Sequence, residues 1–224
     1  MTDHTTATLP RRAEFEQHAL RGRFNAAFFR MLDPVLERSL GPHKRAVFGE
    51  LPSEVVELGS GAGANLRYLR PRSVLTAIEP NHAMQAPLEE AAREHGVRLD
   101  LRDRMAEDTG LPDDSADTVI SSLVLCTVTD PAAVLAEVRR ILRPGGTYRF
   151  VEHVVAPEGT ATRVAQRVLR RPWAWTWTFE GCSCERDLEG ALRAAGFAHL
   201  EIERYRVRTP FLPFNTHIAG IATA

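Results

Sequence analysis

Long apolar runs are missing from this chain. No stretch of 18 consecutive apolar residues occurs, which removes the pattern of a membrane-spanning helix. Cysteine is scarce, with three residues, Cys126, Cys182 and Cys184. An odd number without a secretory leader argues against a disulfide framework and for free thiols in a reducing compartment, so a cytoplasmic location is expected. Cys182 and Cys184 are spaced as in none of the common zinc motifs, and no carboxylate–histidine cluster has ligand spacing, so no metal is expected. An excess of charge is missing as well. The 28 basic and 29 acidic residues leave a formal charge of -1, without the basic surplus of a nucleic-acid binder. Lysine is rare beside arginine, which reads as genome composition.

What remains is an ordinary soluble composition, 44% hydrophobic and 25% charged over 224 residues, enough for one domain with a substantial core. A monomer is expected. The polar, threonine-rich stretch 1–10 reads as a disordered tail. Over 11–50, Phe15, Leu20, Phe24, Phe28, Phe29, Leu32 and Leu36 recur at roughly helical spacing, which predicts a helical cap. Gly41-Pro42 should break it and leave a separate short helix over 43–50.

From residue 51 to 224 a second pattern takes over. Strands are predicted at 55–58, 73–78, 97–101, 118–125 and 147–155, alternating with helices at 64–69, 82–95 and 131–142. A helix after Pro157, a tryptophan-rich segment and a helix at 185–195 follow. Two last strands, 200–207 and about 217–222, are joined too tightly for a helical crossover and must be antiparallel. The expected fold is α/β, a Rossmann-like, mostly parallel seven-stranded sheet with an antiparallel C-terminal strand, helices on both faces and an N-terminal helical extension.

The chemistry begins at Val55-Val56-Glu57-Leu58-Gly59-Ser60-Gly61-Ala62-Gly63, a strand running into a glycine turn where a ligand can approach the backbone. Such a turn suits either the amino-acid part of S-adenosylmethionine (SAM) or a dinucleotide pyrophosphate. Glu79 follows the second strand, where a carboxylate can accept both ribose hydroxyls. Three features favour SAM over NAD. The glycines run Gly-x-Gly-x-Gly, Leu142-Arg143-Pro144-Gly145-Gly146 precedes the fifth strand, and Ala106-Glu107 with the segment 111–117 precedes the fourth. The expected cofactor is therefore SAM, with S-adenosylhomocysteine as product. Glu57, Gly59, Ser60, Gly61, Gly63, Glu79 and Pro80 would hold its methionine and ribose parts. Met105, Ala106 and Glu107 would contact adenine, and Leu123 would lie beside the reactive centre.

From about Leu51 onward the chain resembles the methyltransferase-like 7 family of SAM-dependent thiol S-methyltransferases. The similar pieces are Gly59 to Asn65, Glu79-Pro80-Asn81, Leu123 to Val128, Val138 to Gly146 and Glu152-His153-Val154. Outside the generic SAM core they continue with Gly181-Cys182, Arg186, His217-Ile218, Gly220 and Ala222. Ser60 and Ala62 stand where the family has cysteine and threonine, and Glu79 where it has aspartate. The apolar N-terminal anchor of the animal proteins is missing.

The resemblance implies methyl transfer to a small, fairly apolar acceptor, a thiol first of all. A thiol is mostly protonated at neutral pH, so a base would help. His153, near the C-terminal end of the fifth strand, is the candidate base, with a structural histidine as the alternative. Cys126, Trp173, Trp177 and His217 are the candidate acceptor-side residues, each also explicable by packing. Glu152 points away from His153 on the same strand. Competing readings are an O- or N-methyltransferase on a natural product or lipid headgroup, an NAD-dependent oxidoreductase, and a non-catalytic SAM-binding partner.

Overall fold

The computed structural model of the protein describes residues 19–169, 182–209 and 211–224. It begins with α1 (Ala19–Phe48) and β1 (Glu54–Leu58), then β2 (Val74–Ile78), α2 (His82–Glu94), β3 (Arg98–Arg102) and β4 (Ala116–Ser122). After these come α3 (Pro131–Ile141), β5 (Leu142–His153), α4 (Ala161–Leu169), α5 (Leu188–Ala194), β6 (His199–Arg206) and β7 (Thr216–Thr223). The strands form one sheet in the order β3-β2-β1-β4-β5-β7-β6. Neighbours from β3 to β5 pair in parallel, and β7 runs antiparallel to both β5 and β6.

Strand alternation divides the core. Tyr148 and Phe150 of β5 point into one cluster with Val134, Leu135 and Val138 of α3 and Leu188 and Leu192 of α5. Val151 points into the other, with Leu40 and Phe48 of α1 and Leu88 of α2. Helices are capped as their sequences direct. Asp130 accepts from the Ala132 and Ala133 amides with Pro131 at the first turn of α3, and Asn81 accepts from Ala83 at the start of α2.

Several boundaries differ from the sequence reading. Gly41-Pro42 does not break α1, which continues to Phe48 with Pro34 and Pro42 inside it. Both prolines lie on its solvent side, where a missing backbone bond costs least, while buried Leu40, Val47 and Phe48 hold the inner side to the sheet. The predicted helix 64–69 is a single 3₁₀ turn, Leu66–Tyr68. Leu69 is already extended, and Arg70-Pro71 directly after it disfavours helix. β4 stops at Ser122, and β5 begins at Leu142, with an irregularity between Ala116 and Thr118.

Candidate active site

A cleft of about 350 Å³ opens beyond the C-terminal ends of β1, β2 and β4, where ligands bind in open α/β sheets. Of the expected cofactor residues, Gly59, Ser60, Gly61, Glu79, Pro80, Met105, Ala106, Glu107 and Leu123 line it. Glu57 and Gly63 are not in its lining and support it from behind. Helix α1 adds Phe29, Arg30, Asp33, Leu36 and Lys44 to the wall.

The three glycines of the turn all have positive φ, at 59°, 55° and 89° for Gly59, Gly61 and Gly63. They serve different ends. A Cβ on Gly61 would meet nothing within 4 Å, so the backbone there is open to a ligand. One on Gly63 would stand 2.6 Å from Leu66 Cδ1 and 3.1 Å from Ala91 Cβ. Gly63→Ala is therefore expected to destabilise the fold by about 1–3 kcal/mol through overpacking and strained φ. In thermal melts this should lower Tm by several degrees.

Glu79 is buried, and its carboxylate accepts from the Gly61 amide and the Asn81 amide, each at 2.8 Å. It therefore links the glycine turn to the start of α2. Behind the turn, Glu57 Oε1 accepts from Asn65 Nδ2 at 2.7 Å, and Lys44 Nζ donates to Asn65 Oδ1 at 2.8 Å. Burial pushes the Glu57 carboxyl up from its ordinary pKa and the Lys44 ammonium down. Glu57 Oε2 has no partner among the described residues.

Sequence reasoning missed Lys44. It is the only lysine in the chain; every other basic side chain of the Lys/Arg set is arginine. That lone lysine is buried and faces the cleft. Among the described residues its ammonium has one hydrogen bond, which leaves donor capacity on a residue that lines the cleft. Its uniqueness was the available signal.

On the wall formed by Met105, Ala106 and Glu107, Met105 and Asp108 form an isolated bridge. Glu107 Oε1 accepts from the Thr129 and Asp130 amides at 2.8 and 3.3 Å, which ties this wall to the start of α3.

The turn after β4 carries strain. Leu123 has φ 62°, a left-handed conformation unfavourable for a leucine. Glu152 holds it there. Its carboxylate accepts from the Val124 amide at 3.1 Å, the Leu125 amide at 3.2 Å and Ser121 Oγ at 2.8 Å. Arg186 fastens the same turn by donating to the Leu125 carbonyl at 2.7 Å. Burial raises the Glu152 carboxyl to about 7, against the opposing hydrogen bonds. Glu152→Ala would strand two buried amides at a cost of about 3 kcal/mol, a loss of roughly 6–12 °C in Tm. A calorimetric melt checks this.

Beyond that turn lies a polar group enclosed by the core. His153 Nε2 is 2.9 Å from Cys182 Sγ, and both residues are buried with Cys126. Hydrogen bonds from the Cys126 and Cys184 thiols, with His153 nearby, hold Cys182 well below the usual thiol range. Cys126 is correspondingly raised, by its bond to Cys182 and by burial. His217 pairs opposite His153 across β5 and β7, with ring centroids 6.2 Å apart. Burial, with His153 and His43 nearby, lowers His217 well below its ordinary value, and neither ring nitrogen has a partner among the described residues. His153, Cys126 and His217 thus come together, one layer behind the cleft lining. Trp173 and Trp177 lie outside the described residues.

Comparison with known proteins agrees with this geometry. A family profile described as a methyltransferase domain matches residues 56–150. The Haloferax volcanii putative methyltransferase solved in complex with its Trm112 activator has a TM-score of 0.64 at 20% identity, covering 91% of this chain and 96% of that one. A SAM-dependent methyltransferase from Aquifex aeolicus has a TM-score of 0.60 at 17% identity, covering 88% and 97%. The fold and cleft define a class I SAM-dependent methyltransferase. Human thiol S-methyltransferase TMT1B is 34% identical over 86% of this chain and 82% of its own length. Human TMT1A is 32% identical over 84% and 81%. The chain belongs to the family of these methyltransferases.

Proposed function

We propose that this methyltransferase acts on a thiol carried by a small, fairly apolar acceptor. The observation that carries the reading is the sulfur- and imidazole-bearing group of Cys126, His153 and Cys182 behind the turn that follows β4. The named activity of the human relatives supports it.

The residues present fit SAM: an open backbone at Gly61, a lysine with spare donors, a buried carboxylate at Glu79 and a cleft of about 350 Å³. When bound, SAM supplies an electrophilic methyl group on its sulfonium sulfur. Glu79 takes the ribose hydroxyls, with Pro80 beside it. The turn from Gly59 through Ser60 and Gly61 to Gly63, braced by Glu57, holds the methionine part. Lys44 is the counter-ion of its carboxylate. Met105, Ala106 and Glu107 frame the adenine, and Leu123 stands beside the reacting carbon.

On the acceptor side His153 brings about the loss of the thiol proton, with Cys126 and His217 near it behind the cleft lining, and Trp173 and Trp177 are assigned to acceptor recognition. Helix α1, with Phe29 and Leu36 on the cleft, excludes water as a cap over the site. Among the described residues no helix is long and apolar enough to cross a membrane. A cytoplasmic monomer fits this reading.

The test is formation of S-adenosylhomocysteine from SAM with parallel panels of small thiols, phenols and amines. Turnover confined to thiols is expected. Turnover with phenols or amines alone overturns the acceptor assignment.

A further inference from the structure

Three segments far apart in the chain bring two thiols and an imidazole to one point. Cys126 lies on the turn after β4, His153 ends β5, and Cys182 precedes α5. Their ligating atoms all lie within 4.8 Å of one another. All three side chains are buried, and Cys126 and Cys182 belong to the apolar core cluster that also holds Val128, Val154 and Leu188.

Thiolate and imidazole together are the donor set of borderline and soft cations; magnesium and calcium take oxygen. Tetrahedral zinc binds sulfur at about 2.3 Å and nitrogen at about 2.0–2.1 Å, so its donors stand roughly 3.3–3.8 Å apart. The 4.8 Å bound on the cluster contains that spacing, and the His153–Cys182 pair at 2.9 Å has to open by roughly 0.6 Å to reach it. Three protein donors leave one tetrahedral position, the arrangement of zinc sites that bind an exchangeable group. Cys126 directly precedes Thr127 and lies two residues after Val124, both on the cleft wall. The cluster therefore borders the cleft.

We propose that Cys126, His153 and Cys182 form a site for a thiophilic divalent cation, zinc foremost, whose fourth position receives the acceptor thiol. This rests on the thiol reading given above. The step is a ligand exchange. The acceptor's S–H bond breaks, its sulfur–cation bond forms in place of a bound water, and the proton leaves to solvent. A coordinated thiol is deprotonated outright, where a free one with pKa about 8.5 is mostly protonated at neutral pH. His153 then acts on the thiol proton as a ligand of the cation. Spacing along the chain could not disclose this site, because its donors come from three elements that meet only through the sheet.

The full-length protein, reduced and loaded with cobalt(II) in place of zinc, tests the proposal by absorption. Expected are one bound cation per chain, a thiolate-to-cobalt charge-transfer band and the strong visible bands of tetrahedral cobalt. Cys182→Ser and Cys126→Ser, each checked for folding by circular dichroism, should each lose part of the charge-transfer intensity. A small thiol should shift the visible bands of the wild type. No charge-transfer band in the wild type, or an unchanged spectrum in both folded variants, overturns the site. Visible bands insensitive to thiols, or thiol methylation at full rate by metal-stripped protein, overturn the fourth-position assignment. Failure of the thiol reading itself looks different: intact cobalt bands with turnover on phenols or amines alone.

Discussion

Replacing His153 by alanine should lower thiol turnover by about 10²–10⁴-fold, the range for losing assistance to proton removal. Binding of S-adenosylhomocysteine, measured calorimetrically, should be unchanged. The split follows from position. His153 is buried behind the Leu123–Cys126 turn and does not line the cleft, so it has no direct contact to lose with a cofactor there. A merely structural histidine would also reduce turnover if its loss loosened the turn, but it would do so equally for every acceptor. Assistance to proton removal behaves differently. The defect should shrink as the acceptor's own thiol pKa falls, because an aryl thiol already ionised at the assay pH needs less help. A series of thiols of graded acidity, assayed with wild type and His153→Ala at one pH, separates the two. A constant ratio across the series would remove His153 from the proton's path.

The glycine turn and the place of Glu79 on the cleft were legible because the features that shape that wall are local. A strand, a turn of required φ and a carboxylate one strand later follow from spacing alone. The antiparallel β6–β7 pair was legible from its short connection. Strand parity also placed Glu152 and His153 on opposite faces. It could not name the partner of Glu152, which accepts from the Val124 and Leu125 amides; every residue except proline carries such a donor, so side-chain patterns do not reveal it. The Cys126–His153–Cys182 group was hidden for a related reason. Each residue reads singly as a small core thiol or a strand-end histidine; β4 lying beside β5 joins Cys126 to His153, and the Ser183 amide, donating to the Cys126 carbonyl at 2.9 Å, brings in Cys182. Lys44 was lost to two errors, a helix boundary placed at Gly41-Pro42 and a rarity of lysine taken as composition alone.

That single lysine carries the last expected result. Lys44→Met should weaken S-adenosylhomocysteine binding by about 10–100-fold, the worth of one charge-assisted hydrogen bond in a partly closed site. The ammonium is buried near Glu37, Glu57, Asp33 and Arg67, and Arg67 is paired with Asp33 and Glu37, which leaves Glu57 as the acid nearby without a cation of its own. Lys44→Arg keeps the charge, but a planar guanidinium cannot occupy the same place beside Asn65 without displacing it, so only partial rescue is expected. An analogue lacking the methionine carboxylate separates a counter-ion from a structural lysine. It should bind wild type and Lys44→Met alike, whereas a structural role would weaken both ligands together. The chain's composition provides an independent measurement. Lys44 carries the only side-chain amine, so an amine-selective reagent followed by mass spectrometry reports on one side-chain position, with the N-terminal amine resolved as a separate peptide. S-adenosylhomocysteine should protect Lys44 from labelling, and equal labelling with and without it would place the lysine outside the cofactor's reach.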